Sequence, residues 1–258
     1  MPSVVRRAEI IAVLSVATDL AMGQPVEFAL KSCFLGLRLG QALGFTGEEL
    51  RETYYEALLR YVGCNADTYA VAAFFGDEMA LRRDLAAIDR ANAVERTRAI
   101  LRAAQRAHAG TPLLSMISGI VKVLALARST GVPIIAGHCE VAERIALRLG
   151  LGPAISSNLG QFYERWDGRG LPSGIRGEAI ARPVRVAALA QDLILLSATH
   201  NPQIVDHILA HARDVIADLK EQPSWEAVLA LEPAPQALLS ESELDEACRV
   251  IADFTDIT

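Results

Sequence analysis

Aromatic residues are scarce in this chain of 258 residues: 7 Phe, 5 Tyr and 2 Trp make up 5%. Set beside an apolar content of 52%, in which Ala and Leu dominate, that scarcity disfavours a β-sandwich and favours helices packed on helices. Cysteine pairing motifs are absent too. Cys33, Cys64, Cys139 and Cys248 lie far apart with no Cys-x-x-Cys, which excludes a zinc ribbon and a thioredoxin-like site. They read as reduced, buried thiols of a cytoplasmic protein. There is no basic surplus. A formal charge of −6 argues against direct nucleic-acid binding, yet leaves room for a small anion held by local arginines. Nothing approaches the ~18 uninterrupted apolar residues of a membrane span. Arg6-Arg7 followed by Ile10 to Ala17 mimics a signal peptide, but Glu9 and Asp19 interrupt it, and the stretch reads as a mature amphipathic helix.

What is present is a succession of helix signals. The first helix covers residues 4–22, and Gly23-Gln24-Pro25 breaks it, with Pro25 suited to the first turn of the second. That helix runs to about Leu43. Thr46-Gly47-Glu48-Glu49 is a capping box that opens a third helix, which runs to about Val62 and stops at Gly63. Asp67 to Phe75 suggests a short helix, and Gly76-Asp77-Glu78 reads as an acidic solvated turn. Residues 81–108, rich in Arg, Ala and Asp, predict one or two exposed, charge-laced helices. Another helix starts at Gly110-Thr111-Pro112, and His138 opens a separate one over 138–149. A helix of about 153–163 leads into a glycine-rich stretch, and Arg182-Pro183-Val184-Arg185 opens a buried helix after it. Asn201-Pro202 is a helix start. His207 and His211 share a face there but lack the Glu of a His-Glu-x-x-His motif, so they read as solvated, with His200 or Asp206 completing a zinc site only as a weaker reading. Trp225 follows on a further helix, and Ser240-Glu241-Ser242-Glu243 is a second capping box opening the last one.

The organising stretch is Glu164-Arg165-Trp166-Asp167-Gly168-Arg169-Gly170-Leu171-Pro172-Ser173-Gly174-Ile175-Arg176-Gly177. Four glycines mark a backbone that needs left-handed angles or close approach. On its residues alone it is a long structural turn with Trp166 anchored to the core. Its motifs carry more. Glu-Arg-Trp-Asp-Gly-x-Gly-x-Pro, then Gly-x-x-Gly-Glu-x-Ile, then Arg-x-x-x-x-Ala, resemble the HD-GYP family of all-helical bacterial proteins related to HD metal phosphohydrolases, whose active members hydrolyse cyclic di-GMP. The match is close from Glu164 to Asp192.

The resemblance implies metal ligands at positions where this chain carries other residues. The family's His on the second helix, sixteen residues before Gly44, is Phe28 here. The defining Leu-His-Asp-x-Gly-Lys is Leu59-Arg60-Tyr61-Val62-Gly63-Cys64. Two adjacent His before the glycine loop are Phe162-Tyr163, and an Asp six residues after the Arg matching Arg185 is Gln191. His138 matches a remaining family His. A divalent metal needs converging carboxylates and imidazoles, and Arg60 would repel it. The replaced positions would make either a filled core or a pocket for something flat or anionic.

Three functions follow as expectations. The favoured one is a catalytically degenerate HD-GYP-like regulatory domain, all-α, that binds a nucleotide, a cyclic dinucleotide or a protein partner without hydrolysis. Its ligand contacts would be Arg60, Arg165, Trp166, Asp167, Arg169 and Arg185, with no cofactor or metal, because Arg forks onto phosphate and Trp stacks on a base. This leans against an enzyme. The alternative is a metal-dependent phosphohydrolase using His138, Asp167 and Asp192, with Asp77 as a further candidate. A third is an oligomerising domain, and a homodimer is the expected assembly. The chain is expected to form one domain over 1–258: a first half of the core (1–75), a helical insert (76–130), the glycine-loop half (131–235) and a last helix (236–258). Similar longer proteins continue from a segment like Ile251-Ala252-Asp253-Phe254 into a second HD-type domain, some with a LuxR-type helix-turn-helix.

Overall fold

The computed structural model describes residues 5–25, 27–64, 72, 77–86, 88, 93–110, 113–198 and 225–257. Ten α-helices are present among them: α1 (Arg7–Ala21), α2 (Phe28–Ala42), α3 (Gly47–Leu59), α4 (Glu78–Ala86), α5 (Ala93–Ala107), α6 (Leu113–Arg148), α7 (Pro153–Leu159), α8 (Arg182–Ala198), α9 (Trp225–Ala230) and α10 (Glu241–Ile257). The extended pairing among the described residues is a single bridge, Arg6 with Leu238. No described helix is long and apolar enough to cross a membrane.

The centre is built by α2, α3 and α8. Gly36 lets α2 approach closely: a Cβ there would lie 3.2 Å from Thr53 Cγ2 and 3.7 Å from Ala190 Cβ. Around that contact Leu30, Leu37, Tyr54, Leu58, Val184 and Ala187 are buried in one apolar cluster. The start of α3 obeys its capping box. Thr46 Oγ1 accepts the Glu49 N–H at 3.2 Å, and Glu49 Oε2 accepts the Thr46 N–H at 2.9 Å. This satisfies two of the backbone donors that a helix start leaves open. Ser240 and Glu243 do the same for α10.

Helix α2 starts differently from expectation. Pro25 lies before the helix, Glu27 takes a left-handed φ of 61° as N-cap, and the first helical residue is Phe28. The capping oxygen comes from another helix: buried Asp19 on α1 accepts the Ala29 N–H at 2.9 Å. Burial pushes the Asp19 carboxyl up to about 7, although the Ala29 and Phe28 N–H groups favour its charge.

The largest departure is α6. The expected separate helices after Pro112 and from His138 are one helix of 36 residues with Pro133 inside it. Proline removes one helical hydrogen bond, yet the helix continues through it, with α5, α7 and α10 in contact along its length. His138 therefore lies well inside a helix rather than at its N-terminus. Helix α7 is shorter than expected and ends at Leu159. The expected helix over Asp67–Phe75 and the His200, Asp206, His207 and His211 group lie outside the described residues or largely so.

Candidate functional site

Six replaced positions come together where α2, α3 and α8 meet the segment before the glycine loop. Phe28 packs on Tyr61 with ring centroids 6.0 Å apart. The Arg60 guanidinium lies over two rings, 5.2 Å from the centroid of Tyr61 and 5.4 Å from that of Phe162. It donates to Gln191 Oε1. Gln191, buried on α8, turns its amide NH₂ to the Ala57 carbonyl at 3.2 Å. Tyr163 points its hydroxyl at Cys64 Sγ, 2.7 Å away. The geometry makes this a filled aromatic and amide ring around a guanidinium. Burial works against the Arg60 charge, but the nearby Tyr61, Asp192, Tyr163 and Cys64 groups outweigh it and raise its pKa, so the cation persists.

Beside this ring lies a group that composition alone hid. The end of α3 touches α6 so closely that a Cβ on Gly63 would sit 2.0 Å from the His138 carbonyl oxygen. That contact brings Cys64 to buried His138, whose ring packs 6.3 Å from that of Tyr163. Burial raises the Cys64 thiol, but the neighbouring His138, the Tyr163 hydroxyl and the Arg60 charge prevail and bring it below the ordinary thiol value. Cys139, by contrast, is pushed up to about 12 by burial and by Cys64. The four cysteines look alike in the sequence, because the pairing of Cys64 with His138 exists only through a tertiary contact.

The glycine loop is tied down by its own residues. Gly168 and Gly174 have left-handed φ values of 76° and 68°. A Cβ on Gly170 would fall 2.4 Å from Glu164 Cα. Glu164 Oε1 accepts the N–H groups of Ser173 at 2.7 Å and Gly174 at 3.1 Å. Asp167 is clasped by two arginines: Arg165 NH2 at 3.0 Å and Arg169 NH2 at 2.8 Å from its Oδ2, with the Arg169 N–H on its Oδ1. Arg165 and Arg169 hold its carboxyl well below the usual carboxylate range. Trp166 is not anchored in the core. It is 62% exposed, and Arg185 stacks on it with its guanidinium carbon 5.4 Å from the ring centroid. The exposure follows from the loop's path, since polar contacts rather than a buried indole fix the turn.

The six residues singled out from sequence thus occupy three settings. Arg60 belongs to the filled ring. Arg165, Asp167 and Arg169 form an internal clasp. Trp166 and Arg185 present a flat aromatic and cationic surface. The residues of the altered metal set are also apart in role: His138 meets Cys64, Asp167 is bound by arginines, and Asp192 is exposed next to Gln191. Among the described residues no three His, Cys, Asp or Glu side chains converge to hold a metal ion. A hard divalent cation needs several carboxylate or imidazole donors, so the ring residues do not fit one.

No family model matches the chain. A curated relative, the 3'3'-cGAMP-specific phosphodiesterase 3 of Vibrio cholerae serotype O1, is 22% identical over 245 residues, 84% of this chain and 49% of that protein. A crystal structure of a cyclic GMP-AMP specific phosphodiesterase from V. cholerae superposes on 99% of this chain and 61% of its own, with a TM-score of 0.66 and 19% identity. The chain therefore spans about half the length of the curated relative it matches. These matches correct the expectation of a non-hydrolysing regulatory domain: both relatives are phosphodiesterases by name, which points to the hydrolytic alternative. In architecture the chain is an all-α, HD-domain-like helical bundle.

Proposed function

We propose that the protein acts as a phosphodiesterase on a cyclic dinucleotide of the cyclic GMP-AMP class. The observation that carries this reading is the match with cyclic GMP-AMP phosphodiesterases along most of the sequence and nearly all of the fold. The Trp166–Arg185 pair supports it chemically. An exposed indole offers a stacking face for a base, and a guanidinium stacked on it offers donors to a phosphate. Among the described residues the buried Arg185 Nε has no hydrogen-bond acceptor, and the guanidinium rests on the Trp166 ring.

In this reading the glycine loop binds and orients the substrate, and the Arg165–Asp167–Arg169 clasp keeps the loop in shape. Phosphodiester hydrolysis in such enzymes relies on a metal-activated water. The ring around Arg60 does not supply ligands for such a metal, and among the described residues no three His, Cys, Asp or Glu side chains converge to hold one. The test is hydrolysis of 3'3'-cGAMP by the purified protein with Mn²⁺ or Fe²⁺ supplied, followed as linear dinucleotide. Turnover that falls at least tenfold in Trp166→Ala/Arg185→Ala is the expected result. Absence of product from the wild type with every metal offered removes the proposal.

A further inference from the structure

We propose that the Arg60 guanidinium is a resident internal cation, and that the ring around it is a binding site for planar, weakly hydrated monocations of the guanidinium class rather than for divalent metal. The charge is held by aromatic faces and one amide oxygen. Two ring faces, Tyr61 and Phe162, flank the guanidinium at 5.2 and 5.4 Å. One amide oxygen, from Gln191, accepts its N–H. Among the described residues its Nε has no acceptor, and the Asp192 carboxylate acts on it as a nearby charge rather than as a hydrogen-bond partner.

Those walls are selective. Aromatic faces attract a cation through the ring quadrupole, most effectively one that sheds water cheaply. Guanidinium is more weakly hydrated than ammonium and is flat enough to lie between rings. A divalent cation keeps its water unless anionic oxygens replace it, and here amide and phenol groups stand in their place. The Gln191 amide is fixed in turn by the Ala57 carbonyl, so its oxygen faces inward whether or not Arg60 fills the ring. Phe28 packs in turn on Tyr61, the ring that faces the guanidinium.

The inference does not depend on the proposed activity, because its readout is stability and metal content rather than turnover. The experiment compares wild type, Arg60→Ala and Arg60→Lys by thermal unfolding, each with ethylguanidinium, tetramethylammonium, Mn²⁺ or Zn²⁺ at about 10 mM. Arg60→Ala removes the packed stem and both cation–π contacts and is expected to lose roughly 5–10 °C in Tm. Ethylguanidinium should restore at least a third of the loss in a saturable manner, and the other ions should restore none. Arg60→Lys retains the charge and the stem but not the stack, and should lose roughly 3–6 °C. It keeps the test alive if the Ala variant does not fold. A Lys variant as stable as the wild type, an Ala variant that ethylguanidinium does not rescue, or stabilisation of either variant by Mn²⁺ or Zn²⁺ would overturn the proposal.

Discussion

The filled ring and the glycine loop are adjacent in sequence at Tyr163–Glu164, yet they solve opposite problems. In the ring a charge is brought inside and enclosed by aromatic rings and an amide. In the loop the charges stay near solvent and satisfy one another, while an aromatic side chain is left outside. The comparison separates what the fold needs from what a ligand would meet. Removing a group from the ring should cost stability, whereas removing one from the tip of the loop should cost function and leave stability nearly untouched.

The strongest way to break the ring side is Gly63→Ala. The added Cβ has only backbone of α6 in front of it, at 2.0 Å from the His138 carbonyl. Overpacking against backbone should cost about 3 kcal/mol, seen as a Tm lower by on the order of 10 °C. A change under 2 °C would mean that α3 and α6 separate easily at this point.

A pH series sharpens the comparison. Burial raises the carboxyl of Glu56, on α3 one turn before Arg60, to about 8, against the single hydrogen bond at 2.7 Å from Asn158 Nδ2. Its folded pKa lies above the unfolded value of about 4.3. The folded protein therefore keeps a proton that the unfolded chain releases, and stability is fully present below that unfolded value and is lost as pH rises towards 8. Asp19, raised to about 7, acts in the same direction. Glu56→Gln should gain on the order of 1–3 kcal/mol over wild type at pH 8 and little at pH 4. Equal stability differences at both pH values would show that Glu56 does not carry the effect.

On the loop side the expected effects are smaller. Gly170→Ala places a Cβ 2.4 Å from the Glu164 backbone, so the turn must open locally. Its Tm should change by roughly 3 °C or less, and amide exchange of Ser173 and Gly174 should accelerate as their bonds to Glu164 are lost. A global loss as large as that of Gly63→Ala would mean that the loop is part of the core after all. Asp167→Asn should change Tm least, because exposed ion pairs are screened. Its signature is a loop that loosens without acid.

Much of the bundle was legible in the sequence because the signals were local. The capping boxes at Thr46 and Ser240 mark the starts of α3 and α10, and the glycines at 168 and 174 sit at left-handed angles. What failed was decided by tertiary packing. Pro133 reads as a stop, yet α6 continues through it. Pro25 reads as the start of α2, yet that helix is capped from a distance by Asp19. Trp166 reads as an anchor because large aromatics usually bury, whereas ion pairs and backbone contacts hold this loop. The ring was foreseeable as a set of replaced positions. That Arg60 lies between Tyr61 and Phe162 was not, because its partners come from separate segments. Function was the harder inference: ligand loss suggested a silent domain, whereas the relatives are phosphodiesterases by name.

One measurement tests the contrast between stability in the ring and function in the loop most directly. It is the turnover of 3'3'-cGAMP, in the presence of Mn²⁺, by wild type and by Trp166→Ala/Arg185→Ala, with Tm recorded on the same samples. The account predicts hydrolysis by the wild type, a loss of at least tenfold in the double variant, and melting temperatures within roughly 3 °C of each other. A wild type that leaves the dinucleotide intact, or a double variant that cleaves it equally well, would contradict it.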